Sequence, residues 1–213
     1  MPSMQKDNMA TTKEQIITIA LDLFSQYGIK SVSMDDIARN MSISKRTLYS
    51  FFEDKEMLLV EGLTYSNNRL SSFLELLEKE EYSALDIILL FYEELMKRPR
   101  WYSQKFYEDI KRYPKAMQKK ESEKEHFTNS CTRLFDRGVK EGVFQQEVNF
   151  EIVGLLAKEQ LKMLHPSKTF SKHSNTEVYN TMLLTFLRGI CTEKGREILD
   201  RWVITKKIKS IIQ

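Results

Sequence analysis

The chain has 213 residues, with 33 Lys and Arg against 30 Asp and Glu, for a formal net charge of +3. Seven Gly and four Pro are few chain breakers for that length, which favours a mostly helical protein over a sheet. The longest apolar run, Ile87–Tyr92, cannot span a bilayer, and no charged start followed by an apolar stretch marks a secretory signal, so the sequence reads as a cytoplasmic protein without a membrane partner.

Residues 1–10 are polar and without period, and read as a disordered arm. From Thr12 the pattern turns helical. Ile16, Ile17, Ala20, Leu21, Phe24 and Tyr27 recur at steps of three and four, and Gly28 stands where a left-handed cap would end the helix. Ser33 opens a second helix with Asp36 three residues on, a capping-box arrangement with Asp in place of Glu. Ile37 and Ala38 form its small apolar face. Met41-Ser42-Ile43 is a turn, and Ser44 caps a third helix carrying Lys45, Arg46, Thr47, Leu48 and Tyr49, ended by Phe51 and Phe52. Asp54 caps a long fourth helix from Lys55 towards Lys79.

Further helices follow with short joints. Ala84–Met96 is apolar nearly all round and should be central. Trp101–Tyr113 is aromatic-rich and is expected to stop at Pro114. Lys115–Glu141 is long and charged, and Gly142 ends it. Phe150–Leu164 and Glu177–Cys191 are apolar enough to bury more than one face, and the tail from Arg196 reads as one more amphipathic helix. The expected fold is all-α, with about nine helices. A three-helix DNA-binding domain over residues 11–56 would precede a larger helical domain over 57–213.

The segment from Ser33 to Lys55 has what a helix-turn-helix requires. A small residue, Ala38, suits the helix crossing, and a short turn joins the helices. The second helix offers short polar and basic side chains to a groove. Arg46 can bridge a guanine edge, Lys45 suits a phosphate, Thr47 a thymine methyl or a phosphate, and Tyr49 either a phosphate or a base. Ser33, Ser44 and Lys55 mark helix starts, whose N–H groups attract phosphate. Bulk charge does not make the case. Asp22, Asp35, Asp36, Glu53 and Asp54 offset Lys30, Arg39, Lys45, Arg46 and Lys55, so any claim depends on where the charges sit.

Ala20, Leu23-Phe24, Gly28, Ser33, Ile37-Ala38, Ile43-Ser44, Thr47-Leu48-Tyr49, Phe52, Lys55 and Leu58 together form an ordered pattern. It resembles the TetR family of one-component regulators. The resemblance implies a recognition helix bearing Lys45, Arg46, Thr47 and Tyr49, with Lys55 near the DNA backbone. It further implies a homodimer on double-stranded DNA, formed through Phe150–Leu164 and Glu177–Cys191, and an unidentified small-molecule effector. The expected role is a transcriptional regulator, a repressor released from a pseudo-palindromic operator; the alternative is a DNA-binding adaptor under the control of a protein partner. Two departures stand out. Ser42 occupies the turn where the family usually has Gly, and Phe51 stands where it often has His or Tyr, a residue able to bond a phosphate.

Phe91, Trp101, Tyr102, Phe106 and Tyr107 are aromatic candidates for lining an effector pocket. Glu123 and His126 make a single Glu-x-x-His step without the second copy that a di-iron bundle needs, so no metal or cofactor is expected. Cys131 and Cys191 are too far apart for metal-ligand spacing and read as free thiols. No phosphate-cradling loop or nucleophile elbow supports an enzyme.

Overall fold

The structure is a computed structural model that describes residues 2–97, 103–163 and 170–212. Among these it forms ten helices: α1 (Pro2–Tyr27), α2 (Met34–Asn40), α3 (Lys45–Phe51), α4 (Lys55–Glu78), α5 (Ala84–Lys97), α6 (Gln104–Ile110), α7 (Pro114–Lys140), α8 (Phe150–Met163), α9 (Asn175–Ile190) and α10 (Glu193–Ile212). The all-α expectation holds. Among the boundaries that differ from those read in the sequence, two stand out. Helix α1 begins at Pro2, so residues 2–10, expected as a disordered arm, are helical. Pro114 does not follow a helix but opens α7, where its missing N–H would have had no partner anyway.

The chain divides into two units, residues 1–70 with 100–124, and residues 71–99 with 125–213. The first is therefore larger than the three-helix domain over 11–56, since it takes in α6 and the start of α7. Its core sets Ile16, Ala20 and Phe24 of α1 against Ile37 and Ala38 of α2, Leu48 of α3 and Leu58 and Leu59 of α4. Phe106 and Ile110 of α6, some 80 residues further along the chain, close this core. Main-chain groups pin them there. Ser103 N–H donates to Ser25 O at 2.8 Å, and Lys30 N–H to Asp109 Oδ2 at 2.7 Å. Periodicity shows that α6 is a helix; it cannot show that α6 packs on residues some 80 positions earlier.

In the second unit, Leu85 and Leu89 of α5 pack with Val143, Phe144, Leu187 and Leu199. Phe144 lies 2.2 Å from where a Cβ on Gly138 would stand, so only glycine lets α7 pass that ring. Phe135 stacks on Phe150 at 4.9 Å, and Phe144 tilts against both. Glu141 ties several elements together. Its carboxylate accepts from Ala84 N–H at the start of α5 and from Arg137, and its carbonyl accepts from Lys194 Nζ. Cys131 and Cys191 are free, and burial pushes both thiols up to about 11. No helix among the described residues is long and apolar enough to cross a membrane.

Candidate nucleic-acid interface

Helices α2 and α3 are joined by a complete Schellman turn. Ser42 N–H donates to Arg39 O at 3.1 Å, and Ile43 N–H to Ala38 O at 3.0 Å. The motif needs a left-handed residue in its middle, and Ser42 takes that role at φ 54°. The same turn ends α7, where Gly142 holds the position at φ 72°, its N–H donating to Val139 O while Val143 N–H donates to Gly138 O. Ser42 thus adopts the geometry that the sequence reading assigned to the turn, at a cost of roughly 1 kcal/mol over glycine. Ile43, the residue after it, packs on the core and holds the turn down.

Both short helices are capped from within. Ser33 Oγ accepts from Asp36 N–H at 3.1 Å, while Asp36 Oδ2 accepts from Ser33 N–H and from its hydroxyl. These bonds from Ser33, with the nearby Arg39 and Lys55 charges, hold the Asp36 carboxyl below its ordinary range. Ser44 Oγ accepts from Thr47 N–H at 3.0 Å and pairs with Thr47 Oγ1 at 2.8 Å. Ser33, Ser44 and Thr47 therefore shape the helices through their side chains before they touch any ligand.

Helix α3 is anchored by Leu48, fully buried, and by Phe52 just after it. Its other face is open. Lys45, Arg46 and Tyr49 are exposed, Tyr49 to 49%. Lys45 pairs with Asp35 of α2, whereas Arg46 makes no hydrogen bond or ion pair to any described residue. Phe51, half-buried, lies 6.4 Å centroid to centroid from Phe52 and packs on the core. The structure thus brings Ser44, Lys45, Arg46, Thr47 and Tyr49 together on one seven-residue helix.

Lys55 opens α4, the helix start expected near a DNA backbone. In the fold it turns inward and donates to Ile29 O at 2.8 Å and Val32 O at 2.9 Å, with the Tyr113 ring 5.9 Å away. Burial lowers its pKa, opposed by Asp109 and Asp36. Two carbonyls left open by the α1–α2 connection outcompete solvent for the ammonium. At the start of α4, Asp54 accepts from Met57 N–H at 2.7 Å.

The aromatic candidates for a pocket are also dispersed. Phe106 is fully buried in the first unit's core, with Tyr107 edge-on to it at 5.8 Å and beneath Lys120 Nζ at 4.2 Å. Phe91 packs in the second unit beside Leu74, Leu77, Ile87 and Leu134. Trp101 and Tyr102 lie outside the described residues. Apolarity sent Phe91, Phe106 and Tyr107 into core contacts, and none of these three lines the cavity found in the second unit. That cavity, about 850 Å³, is walled by Val148, Phe170, Val178, Met182 and Phe186, with His173 and Glu177 among its few polar groups. Sequence reasoning missed it because its walls combine one face of α9 with residues just before that helix and with Val148, before α8, which no local pattern groups. Glu123 pairs with Lys119 at 3.3 Å, the side chain of His126 lies outside those described, and no cluster of metal-ligating side chains occurs among the described residues.

Residues 16–61 match the family model of bacterial regulatory proteins, tetR family. The chain is 42% identical over 57 residues to an uncharacterized HTH-type transcriptional regulator, YuxN, of Bacillus subtilis; the match covers 27% of this chain and 20% of that protein. It is 26% identical over 84 residues to IcaR of Staphylococcus aureus, the HTH-type negative transcriptional regulator of the biofilm operon icaADBC, across 39% of this chain and 45% of IcaR. The chain thus spans less than half the length of these curated relatives. Among solved structures, it shares its fold with the ketosteroid transcriptional regulator KstR2 of Mycobacterium tuberculosis, at a TM-score of 0.64 and 17% identity over 85% of this chain and 95% of that one. All of these are transcriptional regulators.

Proposed function

We propose, from the match of residues 16–61 to the bacterial regulatory proteins of the tetR family, that the protein is a homodimeric repressor that reads a pseudo-palindromic operator with α3. The observation that carries this reading is Arg46. It is exposed, without a partner among the described residues, and set on a helix fixed by Leu48, Phe52 and the Ser42 turn. A guanidinium presented this way can bond guanine O6 and N7 together in the major groove. Ser44, Lys45, Thr47 and Tyr49 would supply phosphate and sugar contacts, which set register without reading sequence. Ser33 and Lys55 would act through the shape of the head. Two heads would meet half-sites about one helical turn apart, roughly 34 Å.

The apolar stripe of α8 supports the dimer. Ile152, Leu155 and Leu156 are each more than half exposed, a cost in water that a second copy would remove. The cavity beside α9 supports a small-molecule effector of largely apolar character. Such a ligand would release the operator by favouring one of two arrangements of the chain.

Arg46→Ala tests the reading. In titrations against a duplex recovered by selection, it should cost about 1–3 kcal/mol and relax base preference at one position of each half-site. Unchanged affinity and unchanged preference would remove Arg46 from the interface.

A further inference from the structure

The cations around Arg46 are already engaged within the head. Lys45 pairs with Asp35 of α2, and Arg39 with Asp36. Both pairs are on the surface, with Lys45 65% and Asp35 44% exposed. The two carboxylates differ in what else they do. Asp36 completes the capping box with Ser33 and is accounted for by the fold. Asp35 has no bonding partner among the described residues besides the Lys45 ammonium. A carboxylate in the first turn of α2 suits the helix dipole, but Asp36 already serves that end.

We propose that Asp35 is an internal competitor for DNA phosphate, holding Lys45 so that α3 approaches a duplex with Arg46 as its uncommitted cation. The proposal rests on the reading of α3 as the helix that meets DNA. A phosphate can take Lys45 only by displacing the Asp35 carboxylate. That carboxylate is then left unpaired beside a polyanion. The exchange offsets part of the gain from counterion release, which is the term common to all sequences. Base reading by Arg46 is untouched, since no described carboxylate is bonded to it. The device therefore lowers affinity for every duplex alike and flattens its salt dependence, without changing which sequence is preferred. It also gives a reason for the near-neutral charge of a head built to meet DNA.

The test uses the full chain as wild type, Asp35→Asn, Asp35→Glu, Lys45→Met and the double variant Asp35→Asn/Lys45→Met. Each is titrated by fluorescence anisotropy against a random-sequence duplex and against the duplex recovered by selection, over a range of KCl. Asp35→Asn should tighten both complexes by about two- to fivefold, the range of an exposed ion pair. It should also steepen the slope of log K on log salt by about 1. Asp35→Glu should keep the wild-type slope, and Asp35→Asn should have a smaller effect once Lys45 is Met, since only direct repulsion of phosphate is then removed. Weaker or unchanged binding by Asp35→Asn overturns the proposal, provided its thermal midpoint shows a folded protein. Tightening as large in the Lys45→Met background as with Lys45 present also overturns it, because competition for Lys45 would then contribute nothing. A wild type that binds neither duplex fails the reading of α3 itself, a result distinct from binding that ignores Asp35.

Discussion

Arg46 and Lys55 carry the same formal charge within ten residues of each other and have opposite fates. The difference lies in what each side chain can reach. Arg46 extends from the open face of a short helix. Lys55 has two unpartnered loop carbonyls within 3 Å of its ammonium. The sequence shows both charges but not the direction of either stem. Lys55→Met should lower stability by about 1–3 kcal/mol, since the Ile29 and Val32 carbonyls lose charged donors. Its salt slope for DNA should match the wild type, whereas a phosphate-contacting lysine would flatten it by about 1. Thermal melts and salt titrations of one preparation check both. Ser42 was legible, because a turn of fixed length between two capped helices leaves little choice of geometry. Ser42→Gly should raise stability by up to about 1 kcal/mol in denaturant unfolding, as the left-handed strain is relieved.

At the scale of elements, helix caps and apolar periods located α2, α3 and most of α4 closely. Pro114 was misread because proline both ends helices and begins them, and only the carbonyl and N–H partners distinguish the two. The union of α6 with the head was not legible either. It depends on Ser103 and Asp109 meeting main-chain groups of Ser25 and Lys30, and no local pattern encodes a contact of that range. In the second unit, Tyr92 of α5 donates to Asn180 Oδ1 of α9 at 2.8 Å, and burial pushes its pKa up to about 12. The neutral phenol is favoured in the fold, so below pH 10 this group adds no pH dependence. Between about 10 and 12 the unfolded chain releases the proton first, and stability falls as pH rises. Tyr92→Phe should remove that part of the alkaline loss while costing about 1 kcal/mol at neutral pH for the lost hydrogen bond. Urea titrations at pH 8 and pH 11 separate the two effects. Gly138→Ala should destabilise the same unit, because a methyl there meets the Phe144 ring.

For the whole molecule, the helical class and the helix-turn-helix head could be read directly, since helix caps, turn and anchors are local signals spaced along one stretch of chain. The cavity beside α9 could not. Its walls are mostly ordinary apolar positions of α9 and of the segments before α8 and α9, indistinguishable in sequence from core, while Phe91 and Phe106 pack in the interiors of two different units. The dimer reading places a second copy on α8. Leu155→Glu together with Leu156→Glu should leave the chain folded, because both positions are exposed, yet shift sedimentation from dimer to monomer and abolish tight operator binding. The most direct test of the central claim is selection from random duplex DNA with the full-length wild type and Arg46→Ala in parallel. The account predicts that wild type enriches one pseudo-palindrome and that Arg46→Ala loses discrimination at a symmetric pair of positions within it. No enriched sequence with wild type, or the same fully specified sequence with Arg46→Ala, would contradict it.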